Sequence, residues 1–212
     1  MSLTSNKQLF DKTMARAVDI VRSNLGYFGS GYPEPSSVNG IYKTMKNEEW
    51  TTSFWVGLLW QSYLYTHDEL FKSKAESLFH DFKNRAYRRI CTNTHDLGFL
   101  YILSAKTEYL ITGNSEAKEL AIYAADLLME RYNPAAGILQ AWGDMNNPDE
   151  KGRMIIDCLM NLSLLFWVSE ITGDSKYSNA ASKHLEQTRK YIIRNDDTTF
   201  HTFFSIQRLE CL

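Results

Sequence analysis

Gly152-Arg153-Met154-Ile155-Ile156-Asp157-Cys158-Leu159-Met160-Asn161-Leu162 opens an apolar run that continues through Ser163-Leu164-Leu165-Phe166-Trp167-Val168. The run is too long for one strand and holds no proline, so the pattern predicts a mostly buried helix from Met154 to Ile171. Asp157 sits inside it. Taking a lone carboxylate out of water costs several kcal/mol unless it is hydrogen-bonded, paired or protonated. Asp157 is therefore either a satisfied structural group or a carboxyl whose pKa is set for chemistry.

Working outward, the run stops at Thr172-Gly173-Asp174-Ser175 and an amphipathic pattern follows to about Ile193. The same unit occurs twice before. Ser53 to Tyr65 is apolar nearly all round, breaks at Thr66-His67-Asp68, and is followed by a polar-faced segment from Glu69 to Tyr87. Phe99 to Ile111 stops at Thr112-Gly113-Asn114-Ser115, ahead of an amphipathic segment to Tyr132. Each junction pairs a residue that ends one helix with an Asn, Asp or Ser that caps the next. The turn threonines are 46 and then 60 residues apart. Repeated helical hairpins predict an all-α stacked or toroidal fold, with apolar helices inside and amphipathic ones outside. A first helix from about Asn6 to Asn24 precedes them, and Gly26, Gly29, Gly31, Pro33 and Pro35 then predict a long loop through about Glu49. The long loops all lead into inner helices, so they share one end, where a site would be built.

Composition narrows the function classes. At 212 residues and 44% hydrophobic, the chain suffices for one packed domain. A net charge of −2 gives no basic face for nucleic acid. Asp157, Asn161 and Ser163 interrupt the longest apolar run, so no membrane span is expected. The start, Met1 to Lys7, lacks the apolar stretch of a signal peptide. Cys91, Cys158 and Cys211 have no metal-ligand spacing, and Cys158 reads as a small core residue. A reduced, cytoplasmic protein without metal or cofactor is the expectation. No phosphate-binding, dinucleotide-binding or GxSxG element is present.

Four segments fall on the loop end: Asn47 to Trp55, Thr94 to Phe99, Ile138 to Gly143 reaching Arg153 and Asp157, and Asp196 to Phe203. Asp96 reads equally as a helix N-cap or as an acid facing a cavity. Asp157 lies too far inside a helix starting at Met154 to cap it, and Asn161, four residues on, is placed to orient it. Two acids facing one cavity would raise one pKa and supply a general acid. Trp50, Trp55 and Trp142 suit either a sugar face or plain core packing. His95 and His201 suit either a structural hydrogen bond or the support of a carboxylate. By themselves these residues point to carbohydrate chemistry only in outline.

The ordered motifs His95-Asp96-Leu97-Gly98-Phe99-Leu100-Tyr101, Gln140-Ala141-Trp142-Gly143, Arg153 to Leu162 and Phe200-His201-Thr202-Phe203 resemble the unsaturated glucuronyl hydrolases of glycoside hydrolase family 88. The resemblance implies an (α/α)6 barrel that removes a 4,5-unsaturated uronic acid from lyase-generated oligosaccharides of hyaluronan or chondroitin type. It implies protonation of C4 of the vinyl ether, addition of water at C5, and collapse of the hemiketal. By that resemblance Asp157 is the general acid/base and Asp96 the second essential acid. Trp50 and Trp142 would pack on the sugar, His201 would lie near its hydroxyls, and His95 and Arg153 would complete the binding residues. The pattern departs at Thr94, where a second histidine is usual, and at Ser53, where glycine is usual. Residues 1–204 would form the first half of a single catalytic domain, and 205–212 a divergent tail, as from truncation or frameshift. A half toroid would expose inner helices, invite self-association and leave the chain weakly active or inactive. The alternatives are an unsaturated rhamnogalacturonyl hydrolase and a non-catalytic helical fragment.

Overall fold

The computed structural model describes residues 3–147 and 149–204; the divergent tail expected at 205–212 lies outside them. Helix α1 (Leu3–Phe28) leads into a hairpin of β1 (Tyr32–Val38) and β2 (Ile41–Met45), where the glycines and prolines had predicted only a loop. Asn39 and Gly40 both take positive φ at its tip, the backbone that a two-residue hairpin turn requires. Asn39-Gly40 is a strong turn signal that the more numerous Gly and Pro residues obscure.

Three helical hairpins follow. The first is α2 (Thr52–Thr66) with α3 (Glu69–Ser77) and α4 (Phe79–Tyr87). One helix had been expected over the last two. Ser77 Oγ instead donates to the Lys74 carbonyl at 2.6 Å and competes with the helix ladder just before the break. The second inner rod is α5 (Leu97–Tyr101), a π-helical turn at Ile102–Lys106, and α6 (Thr107–Thr112), with α7 (Ser115–Met129) outside it. A short ribbon, β3 (Tyr132–Asn133) with β4 (Ile138–Leu139), leads toward β5 (Arg153–Ile155), α8 (Cys158–Thr172), α9 (Ser175–Tyr191) and β6 (Thr202–Phe204). Helices α2, α5 and α8 pack in sequence on the inside, with α4, α7 and α9 behind them. Trp60, Leu100, Tyr101, Leu164 and Cys158 are fully buried between the two layers.

The helix expected from Met154 begins four residues later. Met154 and Ile155 pair with Phe203 and Thr202 in an antiparallel ladder, and α8 starts at Cys158 with Asp157 at its N-cap position. A continuous apolar run fits a buried strand and a buried helix equally, and the strand's partner lies beyond α9 in sequence.

The inner helices are tied together at the loop end. Ser53 Oγ donates to Phe99 O (2.9 Å), and Phe99 N–H donates to Asn161 Oδ1 (2.6 Å). Asn161 therefore serves α5 and does not orient Asp157. At Gly98 a Cβ would stand 2.3 Å from Asn161 Cα, so only glycine lets α5 and α8 approach this closely. Ser53, where glycine had been usual, gives its hydroxyl to this same junction.

Candidate active site

Main-chain pairing assembles the site. His95 N–H donates to Ala141 O (2.8 Å), Ala141 N–H to Arg153 O (2.9 Å), and Ile156 N–H to His201 O (3.1 Å). With the β5–β6 ladder, these bonds lay three of the four predicted segments side by side. The fourth is held by Arg85 of α4, which donates to Asn47 Oδ1 (2.9 Å), Glu49 O (2.8 Å) and Glu48 O (3.2 Å). Arg131 similarly donates to Gln140 O and Gly143 O, each at 3.1 Å, and to Asn93 Oδ1. Gln140 closes the next loop by donating to Trp142 O (3.2 Å) and accepting from Gly152 N–H (2.9 Å). Gln140 entered the sequence reading only as part of a motif, and neither buried arginine was singled out. The legible sign was Arg85 lying between Phe82 and Ala86 on the apolar face of its helix.

Asp96 and Asp157 meet across His95. His95 Nε2 stands 3.2 Å from Asp96 Oδ1 and 3.5 Å from Asp157 Oδ1. Neither contact has hydrogen-bond geometry, and Asp157 Oδ1 is buried without a partner. Asp96 occupies the N-cap position of α5 but makes no cap bond; Thr94 Oγ1 donates to its Oδ2 at 2.7 Å. Asp157 likewise makes no side-chain cap bond to α8. Partial burial pushes the Asp157 pKa above the ordinary aspartate value, the neighbouring Asp96 charge adds to this, and His95 and His201 oppose it. Its side chain keeps 37% of its surface exposed, which leaves the carboxyl reachable from outside.

The remaining candidates surround this group at different distances. Trp142 is half exposed, with the Arg153 guanidinium 4.9 Å over its ring and the same guanidinium 5.1 Å from Phe204. Trp50 is also half exposed, packs on Phe54 and Phe99, and lines a cleft of about 260 Å³ that contains Asp96, Thr94 and Arg85. His201 is exposed, and its Nδ1 lies 2.8 Å from Thr202 Oγ1. Trp55 is buried against Phe28 and belongs to the core. The larger clefts, of about 740 and 890 Å³, border the β1–β2 hairpin and contain none of His95, Asp96 and Asp157. The ligand atoms of His95, Asp96 and Asp157 lie within 4.8 Å of one another, a set of donors that also suits a divalent cation.

Residues 30–202 match the family model described as Glycosyl Hydrolase Family 88. The chain belongs to this family. It is 44% identical over 194 residues to an unsaturated chondroitin disaccharide hydrolase of Streptococcus agalactiae, covering 92% of this chain and 48% of that relative. It is 40% identical over 196 residues to an unsaturated glucuronyl hydrolase of Bacillus sp. strain GL1, covering 92% of this chain and 52% of the relative. The crystal structure of unsaturated glucuronyl hydrolase from Streptococcus agalactiae superposes with a TM-score of 0.89 at 43% identity, over 92% of this chain and 49% of that one. The chain thus spans about half the length of the family 88 relatives it matches. Its architecture matches about half of an (α/α)6 barrel. Among the described residues no helix is long and apolar enough to cross a membrane.

Proposed function

We propose that this chain carries the proton-donating half of an unsaturated glucuronyl hydrolase site, acting on a 4,5-unsaturated uronic acid at the end of a glycosaminoglycan fragment. The observation that carries the reading is the Asp157–His95–Asp96 contact, with an accessible carboxyl on Asp157 whose pKa is raised. Family membership and relatives named for unsaturated chondroitin disaccharides supply the substrate class.

In this reading Asp157 gives its proton to C4 of the vinyl ether, Asp96 directs water to C5, and Asp157 takes back the proton that the adding water loses. The hemiketal hydroxyl proton then passes to the ring oxygen as the C5–O5 bond breaks, and passes on to the leaving saccharide oxygen as the resulting hemiacetal at C1 collapses. Trp50 and Trp142 offer half-exposed rings to the sugar, His95 supports the two acids, and Arg153 and His201 reach its polar groups. The steps need a carboxyl and water, and no cofactor. Adding a chelator is expected to leave turnover unchanged; its loss on chelation, restored by a divalent cation, would assign the triad to a metal. Free Cys91 and Cys158 fit a reducing, cytoplasmic location.

Loss of ultraviolet absorbance from an unsaturated chondroitin disaccharide measures the reaction. The 212-residue chain alone is expected to turn over weakly or not at all, and robust turnover would overturn that expectation. Fused to the second half of the Streptococcus agalactiae relative, residues 1–204 should restore turnover. A folded but inert fusion would sink the functional reading. Leu58, Met160 and Phe166 stand exposed on α2 and α8, so the chain alone is expected to self-associate, which light scattering would test.

A further inference from the structure

Asp96 stands where a helix N-cap belongs, yet the amides it would cap are already taken. An N-cap side chain accepts from the N–H two or three residues on, which for Asp96 means Gly98 or Phe99. Gly98 N–H donates to His95 O (3.2 Å), and Phe99 N–H donates to Asn161 Oδ1 (2.6 Å). The Asp96 N–H itself donates to Thr94 Oγ1 (3.2 Å), whose hydroxyl donates in turn to Asp96 Oδ2 (2.7 Å). Asp96 accordingly keeps a helical backbone, φ −64° and ψ −4°, and its Oδ1 faces His95 Nε2.

Asn161 acts on this turn from another helix. It lies on α8, four residues after Asp157, and has no exposed surface. Among the described residues its Nδ2 is buried without a partner. A buried amide with one end unpaired costs more than an apolar side chain of the same shape, so the Oδ1 bond to Phe99 is what the residue contributes. The approach depends on Gly98, where a Cβ would stand 2.5 Å from Asn161 Oδ1. A neutral acceptor suits the place. It satisfies an orphan amide at the positive start of α5 without adding a third carboxylate beside Asp96 and Asp157.

We infer that Asn161 is a positioning residue: it caps α5 from α8 in place of Asp96, and so leaves the Asp96 carboxylate turned toward His95 and Asp157. Without Asn161, the bare Phe99 N–H draws Asp96 back onto its own helix, with ψ opening to the extended value of an ordinary N-cap. The inference goes beyond the proposed reaction, and its test reads no turnover.

Thermal melts of the 212-residue chain and three variants, Asp96→Ala, Asn161→Ala and the double substitution, test it as a cycle. In the parent, Asp96→Ala removes no cap bond and should not lower the melting temperature. In the Asn161→Ala background the same change should lower it by about 2–4 °C, the loss of an N-cap in a domain of this size. The cycle cancels the cavity and the lost amide that Asn161→Ala brings by itself. A purely structural Asn161 gives equal effects of Asp96→Ala in both backgrounds, and that equality would overturn the inference. If Asn161→Ala does not fold, scalar coupling across the hydrogen bond to the Phe99 amide nitrogen decides in the unmodified chain. Coupling to the Asn161 side-chain carbonyl carbon is expected; coupling to the Asp96 carboxyl carbon, or none to Asn161, overturns it.

Discussion

The two ends of the helical hairpins use the same residue types in opposite ways. At the turn end Asp68, Asn114 and Asp174 stand at helix N-caps with ψ of 114°, 109° and 108°. Their side chains accept from Leu70, Glu116 and Lys176 N–H at 2.9, 3.0 and 2.9 Å. Thr66, Thr112 and Thr172 accept the N–H of each cap residue in turn, at 3.2, 3.1 and 3.2 Å. A left-handed residue, His67, Gly113 or Gly173, closes each preceding helix. At the loop end Asp96 and Asp157 hold the same nominal position with ψ of −4° and −16° and cap nothing. The cap bonds lower the pKa values of Asp68 and Asp174, whereas that of Asp157 is raised. A change of backbone conformation at one residue decides whether a carboxylate stabilises a helix or is left free for chemistry.

The sharpest way to break this comparison is the same substitution at both ends. Asn caps a helix about as well as Asp, so Asp174→Asn should change neither the melting temperature nor turnover. Asp157→Asn keeps the shape and removes the proton. In the fusion that completes the ring it should lower kcat/KM by about 10²- to 10⁴-fold, the usual contribution of general acid–base catalysis. Equal losses at the two positions would show that Asp157 acts only through structure.

Next in size is Gly98→Ala. The added Cβ meets the backbone of Asn161 at 2.3 Å, which a rotamer change cannot relieve. Overpacking of this kind costs about 3 kcal/mol. Because the strain falls where Ser53, Phe99 and Asn161 tie the inner helices, it should displace Asp96 from Asp157 as well. Chemical denaturation checks the first effect and residual turnover of the fusion the second.

Glu108 tests whether a raised pKa by itself marks a site. It lies at the turn end, where burial pushes its carboxyl up to about 7, a bond from Asn114 opposes this, and the charge of Glu76 adds to it. Folding therefore raises its pKa from the ordinary 4.5. The stability it contributes is complete below pH 4.5 and is lost as pH rises through about 7, because the unfolded chain ionises first. The upper bound is about 3 kcal/mol at 1.4 kcal/mol per pKa unit, and relaxation around the buried group reduces it to about 1–2 kcal/mol. Glu108→Gln should flatten the fall in stability between pH 5 and 8 and leave turnover of the fusion unchanged. An identical pH slope in the variant would show that Glu108 ionises normally.

The sequence made the turn end almost fully readable, and the loop end only in part. Thr-Gly-Asn-Ser and Thr-Gly-Asp-Ser are local devices whose bonding partners lie within a few residues, so pattern alone located the hairpins. Asp96 and Asp157 could be nominated from the loop-end segments, and the resemblance to the family added His95, although Asp157 was read as lying inside its helix. What joins them could not be read this way. The β5–β6 ladder, the His95–Ala141–Arg153 backbone bonds and the Arg85 and Arg131 anchors all link residues far apart in sequence. Asn161 was misassigned for the same reason: helical spacing pointed it at Asp157, while its true partner is Phe99 N–H in another helix.

The smallest effect discriminates the two ends most directly. Asp174→Ala removes an oxygen that Lys176 N–H now uses and leaves that donor at the end of α9. The loss of an N-cap costs about 1 kcal/mol, equivalent to about 2–4 °C in a domain of this size. Asp157→Ala removes no cap bond, because its oxygens receive none from α8. It also removes a charge that burial and Asp96 already disfavour, so the variant should melt no lower than the parent. Paired thermal melts at neutral pH decide the matter: a drop at 174 without a drop at 157 means that the loop-end carboxylate is not part of what holds its helix. A drop at both would mean that Asp157 caps α8 in solution, and the free carboxyl on which the proposed chemistry depends would be lost with it.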